Sequence, residues 1–444
     1  MIKSLELKNV GLLPDATINF GERLNVITGD NGLGKSFLLD IIWFALTNRW
    51  PIEVNGRMTS GYMAKPKDRT KESSIKFIAG KGRPSETAQY NYNRQQERWT
   101  ANNWGKSEIR KNLVLYAHYD GSFSVWDPHR NHWVRNPRED MLERPPAFVF
   151  TPSEVWDGAN TIDRITGKEV PICNGLIRDW VSWQDRSRYD EFSLLASCLA
   201  ELSPPDFSKK ICPGEHDRIS ASDSREHPFI QMPYGNIPAV WASAGIRRIL
   251  TLAYMLTWTI TEHVKSCEVL GVKPVSQMTF LFDEVDAHLH PKWQRQIMGG
   301  ILNLLDSYDY PGRILMWSTP INTQIISVTH SPLVMASLEE LFDKESDKWL
   351  DLDLNKDNHN VQIEERKFIK MGDVSSWLTS DAFDLNSTYS VKAEQAMDEY
   401  NKLMSQPTID SKKRSEIIKK LEKLLPDIDP FWVAVDFPKQ GGSK

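Results

Sequence analysis

The sequence has few cysteines, little excess charge and no long apolar run. Its 444 residues include four cysteines, which lie far apart without the paired spacing of a metal-binding motif. This usage argues against a disulfide framework and suits a reducing cytoplasm. The formal net charge of −5 is small for this length. It therefore predicts no global attraction to nucleic acid or to membranes, and any such contact requires a local patch.

Targeting and membrane-spanning signals are also missing. A strand-like pattern begins within the first four residues, so we expect no signal peptide. The longest apolar run, 249–260, is too short and too rich in threonine to cross a bilayer. There is no internal repeat and no long heptad array. We expect a cytoplasmic globular protein with two or three lobes, in which the 16 tryptophans mainly serve packing.

Hydrophobic periodicity predicts strands and helices in alternation, which favours an α/β fold. Residues 243–330 alternate helix and strand in the manner of a parallel sheet covered by helices. Strands are expected within 3–28 and over 73–79, 88–100, 113–119, 122–127 and 146–151, with a strand pair beyond Leu350. Helices are expected from Lys35, over 173–202 with Trp180, Trp183, Phe192, Leu195 and Leu199 buried, and near 372–381, 389–404 and 410–425.

The stretch VITGDNGLGKSFLLDIIW has the pattern of a phosphate-binding loop. Residues 29–36 fit G-x-x-x-x-G-K-[ST] between a predicted strand and a predicted helix. The glycines let backbone N–H groups surround phosphates, Lys35 reaches the β and γ oxygens, and Ser36 can hold Mg²⁺. The pattern predicts a nucleoside triphosphate and Mg²⁺ as ligands, bound through Gly29, Asn31, Gly32, Gly34, Lys35, Ser36 and Phe37. Alone it does not distinguish a kinase from a GTPase or a motor; ATP is what the resemblance described below implies.

Two later segments add groups suited to hydrolysis. MTFLFDEVDAHLHP places Asp283 and Glu284 at the end of an apolar strand. The first carboxylate is predicted to support the metal, and the second to act as general base on the attacking water. TQIISVTHSP carries His330 to the end of another buried strand, where we expect it to contact the γ-phosphate.

A Ser-x-Gly segment opens an amphipathic helix at Ser243 and Gly245. Ser243 could simply cap this helix. The exposed helix start could also receive a phosphate, which would have to come from a second protomer if the helix belongs to a separate lobe. The residues alone leave both interpretations open.

Phosphate loop, Ser-x-Gly helix, Asp-Glu strand and terminal histidine, in this order, resemble the ATP-binding-cassette class of P-loop ATPases. Residues 5–46 resemble the amino-terminal half of the SMC, RecF and OLD branch, and FDEVDAHLHPKWQ resembles its OLD variant. The resemblance implies a head-to-tail dimer with two ATP molecules between protomers. It implies that Ser243 and Gly245 cap the partner's γ-phosphate, that His330 is a switch histidine, and that Asp286 and His288 lie at the interface.

The implied architecture is an α/β ABC-ATPase head with a mixed and parallel sheet lobe, a helical signature lobe and a small, mainly helical carboxy-terminal extension. Departures from the pattern are Ala244, Ile246-Arg247 and the lack of a glutamine in 148–158, where a glutamine loop is expected. The expected domains are 1–160, an ATPase lobe with the phosphate loop and an insertion; 161–265, the helical lobe; 266–345, the second ATPase lobe; and 346–444, the extension.

Residues 243–258, 374–396 and 424–432 further resemble stand-alone ATPases of bacterial anti-phage operons, of Septu and retron-associated type. This implies an ATPase that self-associates as a dimer or higher even oligomer and controls a separately encoded nuclease or toxin. A RecF-like DNA-repair ATPase is the alternative, and the basic stretch 65–83 would then contact DNA. A third possibility is a fused OLD-type nuclease using Asp351 and Asp353, but these residues are expected on a solvated edge strand.

Overall fold

The computed structural model describes residues 1–80, 86–101, 111–131, 147–162, 166–185, 189–204, 210–232, 234–306, 322–355, 360–383, 385 and 387–436. The chain divides into two compact units, Met1–Val374 and Ser375–Lys444. Lys81 and Arg83 of the predicted basic stretch lie outside the described residues. Within the described part of the chain, no helix is long and apolar enough to span a membrane.

Strands and helices occur close to most of the predicted segments. The strands are β1 (Ile2–Val10), β2 (Leu13–Asn19), β3 (Leu24–Gly29), β4 (Ser74–Ala79), β5 (Glu86–Asn93), β6 (Arg98–Ala101), β7 (Asn112–Ala117), β8 (Phe123–Trp126), β9 (Phe148–Phe150), β10 (Ala159–Ile162), β11 (Glu169–Cys173), β12 (Cys212–Asp217), β13 (His227–Met232), β14 (Gly235–Pro238), β15 (Gln277–Asp283), β16 (Asn322–Val328), β17 (Lys348–Leu354) and β18 (Val361–Arg366). The helices are α1 (Lys35–Thr47), α2 (Pro51–Val54), α3 (Pro152–Asp157), α4 (Leu176–Asp185), α5 (Tyr189–Glu201), α6 (Ala244–Leu270), α7 (Pro291–Asp306), α8 (Pro332–Ser337), α9 (Val374–Leu378), α10 (Val391–Met404), α11 (Ser411–Glu422) and α12 (Phe431–Asp436).

The large sheet of the first unit runs in the order β9, β8, β7, β15, β16, β3, β17, β18. Its five inner strands, from β7 to β17, are parallel, and the outer strands pair antiparallel. Strands covered on both faces are expected to be continuously apolar. Accordingly, β7 is buried throughout, and β15 is buried after its first residue. The carboxyl ends of β3, β15 and β16 therefore meet at one edge of the sheet.

A second sheet, in the order β2, β1, β4, β5, β6, is antiparallel. Helix α1 lies between the two sheets, and Leu38, Ile41 and Trp43 belong to the apolar core that both share. Trp43 and Trp50 are among the largest fully buried side chains, as the packing role predicted for tryptophan requires. Trp241 is an exception, since 67% of it is exposed.

Three local predictions are wrong in detail. The segment 173–202 is not one helix, because Cys173 ends β11 and the following Gly175 has a φ of 86°, so α4 begins at Leu176 and a separate helix α5 follows. The segment 88–100 forms a hairpin of β5 and β6. Residues 148–158, expected to hold the glutamine loop, begin in β9 at the sheet edge. The loop next to the carboxyl end of β15 is the one that follows β7, because these two strands pair in parallel.

The second unit is helical. Ala393, Ala396, Tyr400 and Leu421 form its core with Leu425 and Val435, and Ile417, Ile418 and Leu424 pack against it partly buried. The apolar stripe of α11 thus packs onto its own unit, while lysines cover the remaining surface of the helix.

Candidate active site

The loop between β3 and α1 is shaped by glycines at positive φ. Gly29, Gly32 and Gly34 have φ values of 129°, 82° and 94°, which residues with side chains rarely adopt. A Cβ atom at Gly29 would also collide with the carbonyl oxygen of Leu352 in β17. At Gly32 the same atom would meet open space. The loop therefore rests on β17 at its start and opens outward at Asn31 and Gly32, both exposed.

Lys35 is the buried cation of this loop. Its Nζ donates to the carbonyl oxygens of Gly29 at 2.8 Å and Asp30 at 2.6 Å. Burial lowers its pKa to about 8, while the charges of Glu284, Asp30 and Asp283 act in the opposite direction. A phosphate at the loop would supply the negative charge that compensates this desolvation. Phe37, two residues further along, packs against the core, and its side chain carries no polar group.

Ser36 and Asp283, the two residues expected to hold the metal, meet at the sheet edge. Ser36 Oγ donates to Asp283 Oδ1 at 3.1 Å. Asp283 is only 1% exposed, and its Oδ2 is buried without a hydrogen-bond partner among the residues that the structure describes. Burial, followed by the neighbouring charge of Glu284, raises its pKa to about 7. Hydroxyl and carboxylate oxygens are ligands that Mg²⁺ prefers, and the unpartnered oxygen fits a role as metal support.

Glu284 and His330 face each other at the ends of β15 and β16. Glu284 Oε1 and His330 Nε2 are 3.7 Å apart, and both side chains are partly exposed. Burial and then the Lys35 charge lower the pKa of His330, which favours the neutral form of its ring. A carboxylate and a neutral imidazole at this edge can accept and redirect a water proton.

Asp286 lies beside these groups. Thr329 Oγ1 donates to Asp286 Oδ1 at 2.8 Å, and burial raises the pKa of Asp286 to about 6. This contact joins the loop after β15 to the loop after β16, next to His330. His288, in the same loop as Asp286, has a φ of 63°.

The start of α6 has a different character. Ser243 Oγ accepts a hydrogen bond from the Ile246 N–H at 3.5 Å, which is the capping geometry, and Ser243 and Ala244 are exposed. Gly245 packs against the loop that carries His288, since a Cβ at Gly245 would lie 2.8 Å from the His288 carbonyl oxygen. The helix start thus touches its own chain on one side and solvent on the other.

Asp351 is a buried neighbour of the site that sequence reasoning placed wrongly. It was expected on a solvated edge strand, but β17 lies inside the sheet between β3 and β18, and Asp351 is 2% exposed. Its Oδ1 accepts from Thr28 Oγ1 at 2.8 Å, directly before Gly29, and its Oδ2 lies 3.4 Å from Arg366 Nε. The signal for this role is the position of Asp351 between Leu350 and Leu352, which are both buried.

Two family models match the chain. One, described as AAA domain, matches residues 4–122, and another, described as AAA domain, putative AbiEii toxin, Type IV TA system, matches residues 213–336. These segments contain the phosphate loop and the Asp283–His330 pair. The chain is a P-loop ATPase.

Among curated proteins, the similar ones include two Septu proteins and a DNA repair protein. The Septu protein PtuA of Bacillus thuringiensis is 22% identical over 97% of this chain and 96% of that protein. A Septu protein PtuA of Bacillus mycoides is 26% identical over 44% of this chain and 24% of its own length. The DNA repair protein RecN of Synechocystis is 52% identical over 10% of this chain and 7% of its own. The resemblance to Septu-type ATPases predicted from the sequence is confirmed.

Solved structures with a similar fold include the SMC head domain from Thermotoga maritima and the recombination mediator RecF. The first is 14% identical with a TM-score of 0.39, covering 82% of this chain and 99% of its own. The second is 13% identical with a TM-score of 0.37, covering 83% and 98%.

Proposed function

We propose that this chain is the ATP-hydrolysing subunit of a bacterial anti-phage defence system, in which it controls a separately encoded nuclease or toxin. The observation that carries the proposal is the convergence of Lys35, Ser36, Asp283, Glu284 and His330 at one edge of the parallel sheet. Similarity to a Septu protein over almost the whole chain supports the defence role.

Each group has a defined part in hydrolysis. Lys35 leaves its loop carbonyls to bind the β and γ oxygens. Glu284 accepts a proton as the water oxygen bonds to the γ-phosphorus and the bond to the ADP oxygen breaks, and His330 contacts the γ-phosphate. Ser36 and Asp283 would hold Mg²⁺, which supplies positive charge against the developing phosphate charge.

The second part of the proposal is that two chains sandwich two ATP molecules. Its support is the exposed start of α6, where Ser243 and Ala244 face solvent and their N–H groups lie at the positive end of a 27-residue helix. In such a dimer, Ser243 and Gly245 of one protomer complete the site of the other, and Asp286 and His288 lie at the junction. Opening and closing of this dimer would set whether the effector is silent or free.

The effector hypothesis is tested with the neighbouring gene of the operon. Its product is co-expressed, and purification uses a tag on this chain in ATP, in ADP and without nucleotide. We expect co-purification that depends on nucleotide, and loss of phage resistance in cells carrying Lys35→Ala. Failure to co-purify in all three buffers, together with unchanged resistance in Lys35→Ala cells, contradicts the effector role.

Direct DNA binding is the second candidate. Lys65, Lys67, Arg69 and Lys71 are exposed on one surface segment, although Lys65 and Lys71 lie near Glu97 and Asp68. A DNA affinity that falls steeply with salt and is lost on neutralising these residues favours this candidate. We further propose that the isolated chain does not cut nucleic acid, because Asp351 is engaged by Thr28 and Arg366.

A further inference from the structure

The peptide that joins Asp283 to Glu284 is held from two directions. Its N–H, from Glu284, donates to the Val328 carbonyl oxygen at 3.2 Å. Its carbonyl oxygen, from Asp283, accepts from Arg248 Nη2 at 3.4 Å. Glu284 has a φ of 50°, a left-handed conformation that costs energy for a residue with a side chain. Such a conformation persists only where the surrounding contacts enforce it.

Arg248 reaches this peptide from α6. Arg248 follows the exposed Ser243 by five positions, and its side chain points into the protein. The same Nη2 donates to the His118 carbonyl oxygen at 2.8 Å, so one guanidinium joins the ends of the neighbouring strands β7 and β15. Nη1 is buried and has no hydrogen-bond partner in the described part of the chain.

The surroundings of Arg248 are strongly acidic. The charges of Asp120, Asp283, Asp286 and Glu284 all oppose the effect of burial, which lowers the pKa of the guanidinium. A cation placed here offsets repulsion among carboxylates that must lie close together to support metal and water. Lysine carries the same charge, but its side chain is shorter, so its ammonium does not reach the position from which Nη2 contacts both carbonyl oxygens.

A second contact ties the helix start to the same region. Gly245, one turn before Arg248, lies so close to the His288 carbonyl oxygen that a Cβ atom there would be 2.8 Å from it and would force the backbone to shift. A shift of the first turn of α6 therefore acts on the loop after β15 through Gly245 and on the Asp283–Glu284 peptide through Arg248. The two contacts therefore couple the position of the helix start to the positions of Asp283 and Glu284.

We propose that Arg248 is a positioning residue, which holds Glu284 in its hydrolytic orientation and transmits the position of the α6 start to it. This inference rests on the proposed ATP sandwich. There, Ser243 senses the γ-phosphate in the partner's site, and Arg248 relays this to the Glu284 of its own chain. Occupation of one site then sets the hydrolytic geometry of the other, which makes ATP hydrolysis cooperative.

The test compares Arg248→Lys and Arg248→Gln with the same two substitutions at Arg247. Arg247 is a matched control, because it is exposed on the same turn and its guanidinium lies 4.8 Å from the centre of the Trp156 ring. We expect both Arg248 variants to lower kcat by about 100-fold, as a displaced catalytic group does. Affinity for a fluorescent ATP analogue should stay unchanged, because the phosphate loop is untouched, and the dependence of rate on ATP should become non-cooperative. The Arg247 variants should keep the wild-type kcat and cooperativity.

Three results overturn the inference. One is a wild-type kcat in both Arg248 variants. Another is a parallel loss of kcat, nucleotide affinity and thermal stability, which shows a merely structural residue. The third is equal loss in the Arg247 variants. Failure of the sandwich itself gives a different result: the wild-type rate per chain is then independent of protein concentration and non-cooperative.

Discussion

The phosphate loop and the start of α6 both offer backbone N–H groups at a helix end, but they differ in burial and in hydrogen-bond partners. Around the loop, Lys35 and Asp283 are buried and already paired, with Gly29, Asp30 and Ser36 as partners. At the start of α6, Ser243 and Ala244 are exposed, and the Ser243 hydroxyl does no more than cap its own helix. The comparison teaches that one protomer brings Lys35, Ser36 and Asp283 together by itself, whereas Ser243 and Ala244 at the helix start remain open to another molecule.

Burial explains why the charged groups around the phosphate loop need partners within their own chain. A desolvated carboxylate or ammonium costs several kcal/mol unless it is paired, and raising the pKa of Asp283 to about 7 shows that its pairing is insufficient without further positive charge. Glu284 adds a second cost, because its backbone adopts the left-handed conformation. Such local costs concentrate at sites where function requires them.

The largest effect is expected from Glu284→Gln, which removes the general base and leaves the phosphate contacts intact. The rate of phosphate release should fall by roughly 100-fold to 10,000-fold. Nucleotide affinity, measured by fluorescence, should be retained. The companion variant Lys35→Ala should lose that affinity, because the phosphates lose the cation of the loop. Comparable hydrolysis by wild type and Glu284→Gln refutes the assignment of the base.

Mixing two inactive variants tests whether the helix start acts on a second chain. Lys35→Ala removes the phosphate loop of one protomer, and Ser243→Arg blocks the exposed helix start of the other. In an equal mixture, half of the dimers are mixed and each carries one complete site, so about a quarter of the wild-type activity should return if the two sites act independently, and a smaller fraction if hydrolysis is cooperative. Subunit exchange is verified with tagged chains. If exchange occurs and activity stays absent, Ser243 does not act in trans.

A pH profile of kcat/KM reports the free protein and addresses the loop region alone. Asp283, with a pKa of about 7, must lose its proton to support the metal, so activity rises with pH through this value. Lys35, with a pKa of about 8, must keep its proton to bind phosphate, so activity falls above it. We expect a narrow maximum between the two values and an approximately tenfold loss one pH unit below the acidic limb. Circular dichroism at each pH controls for unfolding, and a flat profile contradicts the titrations.

Sequence patterns predicted the loop region well because its groups lie at strand ends. The rule that parallel strands end at one sheet edge brings Lys35, Asp283 and His330 together once the strands are recognised. Strand order is set by long-range pairing and leaves no local signature. The place of β17 beside β3, and thus the role of Asp351, could not be predicted. The contact of Arg248 with the Asp283 carbonyl was hidden for the same reason, since 35 residues separate the two in sequence.

The smallest effect is expected where β17 supports the phosphate loop. Asp351→Asn keeps the size of the side chain and an oxygen for the Thr28 hydroxyl, but it removes the charge that faces Arg366. Since the loss of this pair is offset by relief of a buried charge, the free energy of unfolding should change by about 1 kcal/mol or less. The Asp351 charge also raises the pKa of Lys35, so its removal should move the alkaline limb of kcat/KM to lower pH.

Asp353→Asn is the matched control for that shift. Asp353 lies on the same strand, is more exposed, and accepts a hydrogen bond from the neighbouring Leu354 N–H. Its neutralisation should leave the alkaline limb in place, because solvent screens its charge from Lys35. Equal shifts in the two variants point to a general change in surface charge. An unmoved limb in Asp351→Asn, with thermal stability retained, shows that β17 holds the loop by its backbone contact at Gly29 and not through the carboxylate.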